Sequence, residues 1–361
     1  MRFRLRPAIR SLVAIMLLVV VSLAANSSLA TPPMNVLPPG VQYPQVQACA
    51  FLSNDVICTS IPSVRSDPNT GSNVVLRCWE VKTGNETDPF GAKPRTGSSG
   101  LAVSRDGKYL AASGDGNLNV WDLTKPFPYQ TVATLKSVGS AFDFIGDSAK
   151  IATADLEKLR VFAVPSTVAA AEFPLSAENQ RTMWLDVSPD GKLVVAQNIV
   201  YDLKKQREFA VIEPSEMLYA PPVFSPDSKY LAYVTLKELT VWDVANRKPS
   251  LQRTYRLTLT ETEKALNFRE IDTPGPILWT PDGKGLLIRT KANQLHTVDR
   301  KTGDLKQRIF SDNFIAQCYA YSPDGQHLAA GGWGEIRIKN LKTDKVTTIK
   351  LDPFPKRDAG K

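Results

Sequence analysis

A short apolar strand, a polar turn and a second apolar strand recur down this chain. In Leu101–Pro126 (LAVSRDGKYLAASGDGNLNVWDLTKP), Val103 and Leu110 flank the turn Ser104-Arg105-Asp106-Gly107, and a later apolar run ends in Trp121-Asp122. An aromatic or aliphatic anchor followed seven positions on by an aliphatic one, with a turn between, predicts two antiparallel strands in a tight hairpin. The same spacing links Phe51 with Cys58, Phe144 with Ile151, Val187 with Val194, Phe224 with Leu231, Trp279 with Leu286 and Tyr321 with Leu328. The intervening turns read IGDS from Ile145, SPDG from Ser188, SPDS from Ser225, TPDG from Thr280 and SPDG from Ser322, with a weaker LSND from Leu52. Six steps from Phe51 to Tyr321 cover 270 residues, a mean period of 45, which suits one supersecondary unit per repeat.

After each turn a second strand is expected, then a third that often ends in an aromatic–acid pair: Trp79-Glu80, Trp121-Asp122, Tyr201-Asp202 and Trp242-Asp243. Val298-Asp299 keeps only the acid, Phe162-Ala163 only the aromatic, and Lys339-Asn340 neither. A fourth strand follows in most repeats, although the first shows no clear one. These turns and strand ends resemble the WD-repeat family of β-propellers over about residues 45–353. The Phe224-Ser225-Pro226-Asp227 and Trp279-Thr280-Pro281-Asp282 copies are also similar to the repeats of periplasmic Tol-type propellers. The resemblance implies an all-β fold, a seven-bladed propeller of four-stranded antiparallel blades around a central channel. The Gly-His opening usual in a WD repeat is absent, so the hydrogen-bond network that depends on that His is not expected. Blade seven has candidates for all four of its own strands. The ring is therefore expected to close by packing, by a crosslink, or with the leader as an added strand.

The ends of the chain change the picture of where it works. Residues 1–30 combine Arg2, Arg4, Arg6 and Arg10, the apolar run Leu12–Ala25 and the small residues Ser28 and Ala30, the pattern of a secretory signal peptide. Residues 31–44 form a Pro-rich leader and 354–361 a C-terminal tail. The expected mature protein is exported to a periplasmic or extracellular compartment, with no membrane span once the signal is removed; a retained N-terminal anchor is the competing reading. Of 44 Lys and Arg and 36 Asp and Glu, the signal takes four Arg, leaving a net charge of +4. So small and scattered an excess argues against a nucleic-acid partner.

The four cysteines, Cys49, Cys58, Cys78 and Cys318, fall in blades one and seven, which meet where the ring closes. Cys49 lies two residues before its anchor Phe51, and Cys318 three before Tyr321. That offset of one suits side chains facing each other across the seam. Cys49–Cys318 is thus one candidate disulfide and Cys58–Cys78 another, among three connectivities, with four buried free thiols as the alternative.

Strand alternation puts the loops between second and third strands on one face and the Pro-Asp-Gly turns on the other. The first face gathers an insertion at Ser60–Ser72 with Arg65, a second at Glu261–Pro274 with Phe268 and Arg269, and Trp333 within Gly331-Gly332-Trp333-Gly334. This is the expected binding surface of a monomeric, non-catalytic scaffold for a protein or peptide partner. Alternatively Trp333 folds down as core. No zinc spacing, haem attachment motif, nucleophile elbow or phosphate loop is present, and His296 and His327 are isolated, so no cofactor is expected. The alternative function is a propeller hydrolase or lactonase using Asp143 and Asp186, which match in the innermost strands of blades three and four, with or without a divalent cation; the competing reading is that the two carboxylates point along different seams and are hydrogen bonded structurally. Asn85-Glu86-Thr87 fits a glycosylation acceptor.

Overall fold

Each repeat folds as one antiparallel sheet. The computed structural model describes residues 43–354 apart from 63–73, 92–94, 97–99, 176–183, 215–217, 255–275 and 290–293 and residues 115, 140, 147, 148, 156, 219, 236, 237 and 313. All described residues belong to one compact unit, Leu37–Lys361. Among them there are strands and turns and no α-helix.

Blade one contains β1 (Ala48–Phe51), β2 (Val56–Pro62), β3 (Val74–Glu80), β4 (Glu86–Thr87) and β5 (Arg95–Thr96). Blade two contains β6 (Leu101–Val103), β7 (Tyr109–Gly114), β8 (Asn117–Asp122) and β9 (Gln130–Lys136). Blade three runs from β10 (Ala141–Phe144) through β11 (Lys150–Ala154) and β12 (Lys158–Ala163) to β13 (Ala169–Pro174). Blade four holds β14 (Leu185–Val187), β15 (Leu193–Ala196), β16 (Ile199–Asp202) and β17 (Arg207–Val211). Blade five holds β18 (Val223–Phe224), β19 (Tyr230–Val234), β20 (Glu238–Asp243) and β21 (Lys248–Thr254). Blade six holds β22 (Leu278–Trp279), β23 (Gly285–Arg289), β24 (Leu295–Asp299) and β25 (Leu305–Arg308). Blade seven is β26 (Cys318–Tyr321), β27 (His327–Gly331), β28 (Glu335–Asn340) and β29 (Val346–Lys350). Strands pair in sequence order within every blade. Blade one departs from expectation: β4 and β5 both pair with the outer edge of β3, so two short segments fill the place of the missing fourth strand.

The repeated turn is a hydrogen-bond device. The buried Ser104 hydroxyl accepts the amide of Tyr109 at 2.9 Å and donates to Asp106 at 2.7 Å. Asp106 in turn accepts the amide of Lys108 at 3.1 Å, and Gly107 takes a φ of +72° that a side chain would oppose. Ser188 with Asp190, Ser225 with Asp227, Thr280 with Asp282 and Ser322 with Asp324 make the same hydroxyl–carboxylate bond. The acid closing the third strand caps the next turn. Asp243 accepts the amide of Asn246 at 2.8 Å, and Asn340, where the acid is lost, still accepts those of Lys342 and Thr343 at 3.0 Å each. An amide oxygen therefore replaces the carboxylate without loss of the cap.

The core is divided into seven apolar clusters, one between each pair of adjacent blades. Burying both faces of every sheet in this way is what a ring achieves and a single blade cannot. Between blades seven and one, Val46, Cys49, Phe51, Ile57 and Trp79 pack against Cys318, Ala329, Ile336 and Ile338.

Ring closure uses the residues just ahead of β1. They do not extend a blade at its outer edge. Instead they run beside the β27–β28 loop: the Val46 amide donates to the Gly332 carbonyl at 3.0 Å, the Gly334 amide donates to the Pro44 carbonyl at 2.9 Å, and Gln45 bridges Trp333. On the opposite face the amide of Asp324 donates to the Asn54 side chain at 3.0 Å, so both rims of the seam are tied. Residues 1–42 and 355–361 lie outside the described residues, and with them the expected signal segment and most of the expected leader and tail.

Candidate functional site

Trp333 is 47% exposed at the tip of the β27–β28 loop. Its glycine neighbours have a packing role. A Cβ on Gly331 would come within 2.4 Å of Val46, one on Gly332 within 2.7 Å of Phe314, and one on Gly334 within 2.7 Å of the Tyr43 ring. Gly334 also has a φ of +70°. The loop is thus wedged between the leader-side residues Tyr43 and Val46 and the blade six-to-seven connection, with the indole projecting outward. Arg65, Phe268 and Arg269, assigned to the same surface, lie outside the described residues.

Below the loop lies an ion network that the sequence reading missed. Arg337 is buried, with Glu335 at 2.6 Å and Asp312 at 2.6 Å, and Lys350 pairs with Glu335. The guanidinium stacks on the rings of Phe314 at 4.3 Å and Phe310 at 5.7 Å. Burial opposes charge on Asp312, but the hydrogen bond and charge of Arg337 prevail and hold its carboxyl below the ordinary range. Nothing in the spacing of Asp312, Glu335 and Arg337 announces a cluster, because the residues come from a connection and a strand 23 positions apart. The alternate charged residues of β28, Glu335, Arg337 and Lys339, are the available signal: all three are buried, and buried charges need partners.

Asp143 and Asp186 act as blade-to-blade clamps. Asp143 accepts the amide of Phe144 at 2.8 Å with one oxygen and that of Val187, in blade four, at 3.1 Å with the other. Asp186 accepts the amide of Phe224, in blade five, at 2.6 Å. Loss of solvation pushes Asp143 up to about 6 against the pull of those amides. The same burial, then the charge of Asp143, pushes Asp186 up. Among the described residues no group of three or more His, Cys, Asp and Glu is placed to hold a metal ion. His296 contacts Gln294 at 3.2 Å and His327 contacts Asn340 at 3.1 Å, both on strands.

The cysteines are buried thiols gathered in two pairs. Cys58 stands opposite Cys78 in the β2–β3 ladder, and Cys49 meets Cys318 across the seam. Asn85 is exposed on the turn ahead of β4.

Known proteins match parts of this chain. The family model described as WD domain, G-beta repeat matches residues 95–122, from β5 of blade one through β6–β8 of blade two. A probable dipeptidyl-peptidase 5 of Aspergillus clavatus is 30% identical over 114 residues, covering 30% of this chain and 15% of that protein. Dipeptidyl-peptidase 5 of Aspergillus fumigatus is 28% identical over 138 residues, covering 36% of this chain and 18% of its own length. The chain thus spans less than a fifth of the length of these curated relatives. The WD repeat matched at residues 95–122 and the four-stranded unit repeated in seven blades together support a WD-repeat β-propeller.

Proposed function

We propose that this propeller is an exported, monomeric, non-catalytic scaffold that holds a protein or peptide partner on the face carrying Trp333. The observation behind this reading is a large aromatic side chain, 47% exposed, on a loop fixed by backbone hydrogen bonds on one flank and by glycine packing on both. A preorganised aromatic loses little freedom on binding and presents a large apolar contact. Affinity capture from the compartment's own extract tests it, comparing the mature chain with Trp333→Ala and with Phe127→Ala. Phe127 is 66% exposed in the loop between β8 and β9, on the opposite face by strand alternation. Partners lost with Trp333→Ala and kept with Phe127→Ala support the surface; partners kept by both variants remove it.

The names of the two relatives motivate a second reading, a propeller hydrolase or lactonase working through Asp143 and Asp186. The amide bonds both carboxylates already make favour a structural role. Hydrolysis of dipeptide and lactone substrates, with and without added divalent cation, distinguishes the two readings. Turnover that disappears in Asp143→Asn would establish the enzyme.

A further inference from the structure

All four cysteines of the chain converge on blade one and its junction with blade seven. They converge on two different faces of that blade. Cys58 and Cys78 lie in the cluster shared with blade two, and Cys49 and Cys318 in the cluster shared with blade seven. Cys49 neighbours Cys318 across the seam, and Cys58 stands directly opposite Cys78 in the β2–β3 ladder. The Cys318 thiol also reaches the Val46 carbonyl at 3.7 Å, so it touches the segment that ties the Trp333 loop. No strand is exchanged between blades one and seven, and the seam alone lacks the chain connection that every other blade junction has.

We propose that Cys49 and Cys318 form a disulfide that clasps the ring shut directly beneath the Trp333 loop. One S–S bond forms. The two thiols give up two protons and two electrons to an incoming disulfide, either glutathione disulfide or that of a protein oxidant, which is cleaved to two thiols. The exchange runs through the thiolate. In the closed ring the hydrogen bond to Cys318 and then burial push the Cys49 thiol well up, so the thiolate is scarce and the oxidant has no access. The bond therefore forms as the seam closes and afterwards resists reduction until the seam opens. Its effect on stability should be large for a single bond, because it links residues 269 positions apart. The Cys58–Cys78 pair differs. The Val81 amide donates to the Asp55 carbonyl at 2.8 Å, which fixes the ladder's alternation and makes Cys58 and Cys78 a non-hydrogen-bonded pair, the close type. A bond there would join strands already paired and would leave the seam unchanged.

The oxidising surroundings of the clasp rest on the export reading above, whereas its formation can be tested in vitro, so failure of one is distinguishable from failure of the other. The full chain is unfolded with reductant, refolded with oxidised and reduced glutathione, alkylated, and digested without reductant. The expected product is a peptide pair joining Cys49 to Cys318 that separates on reduction. Alkylation of both residues, or a bond from either to Cys58 or Cys78, overturns the proposal. Adding reductant to unfolding titrations of the wild type should raise the unfolding equilibrium constant roughly a thousandfold. Cys318→Ala should match the reduced wild type. If that variant does not fold, the wild-type titration alone decides, and an unchanged midpoint after full reduction overturns the clasp.

Discussion

The junction between blades four and five and the seam between blades seven and one solve one packing problem in two ways. At the first, Asp186 accepts the Phe224 amide, the Asp190 amide donates to the Ser228 hydroxyl at 3.0 Å, and Arg247 covers the Phe209 ring at 4.2 Å. These are side-chain ties between blades that the chain itself keeps close. At the seam the partners are nearly 300 residues apart; one rim keeps a side-chain tie, from the Asp324 amide to Asn54, but on the other backbone does the tying: residues 44–46 lie against the loop 332–334, with three glycines cut to fit. Where sequence proximity supplies the local concentration, single polar contacts suffice. Where it does not, the protein uses a segment of backbone and close apolar packing.

The comparison is broken most severely by filling the seam. Gly331→Val should lower stability by about 3 kcal/mol, because its first atom already overlaps Val46. Gly107→Ala, with nothing within 4 Å of the added atom, should cost only about 1 kcal/mol from its positive φ. Denaturant titration of both variants checks this, and equal losses would contradict the steric account. The regular blades should yield to Ser225→Ala by about 1.5 kcal/mol, since the buried hydroxyl satisfies the Tyr230 amide and Asp227 together. A loss near zero in thermal or denaturant unfolding would show the turn to be dispensable.

The blade-to-blade carboxylates should respond to pH. Asp143 is raised from its ordinary 3.8 to about 6, so it binds a proton in the folded state that the unfolded chain has released. Its favourable contribution is complete below the ordinary value and is lost as pH rises through about 6. Stability of the wild type relative to Asp143→Asn should therefore fall by about 2 kcal/mol between pH 4 and pH 7. A flat difference across that range would remove the shift. The smallest effect belongs to Trp333→Ala, which should leave stability within about 0.5 kcal/mol while abolishing partner capture.

The architecture was legible in the sequence because one device repeats. The turn from Ser188 to Gly191 announces its own hairpin, and seven such copies leave little choice of fold. Blade one was harder to read, since β4 and β5 are two residues each and carry no period. The one-residue offset between Cys49 and Cys318 is readable in the sequence because it depends only on which face of a strand each occupies. The site was less legible. The glycines around Trp333 look like flexibility in the sequence, and their tight fit depends on Tyr43, Val46 and Phe314, which come from elsewhere in the chain. Asp143 and Asp186 look like paired carboxylates, and only the neighbouring blades' amides reveal them as clamps. Asn340 reads as a lost acid, yet its amide oxygen does the same work.

The tie between residues 44–46 and 332–334 also orders events in time. A chain made from its N-terminus presents Val46, Phe51, Ile57 and Trp79 long before Ile336 and Ile338 exist to cover them. Blades two to six can each dock on the one before as they emerge, but blade one must wait with one apolar face open until blade seven is finished. The waiting face is the vulnerable surface of the nascent protein, where a holding chaperone would bind and where premature termination would lead to aggregation.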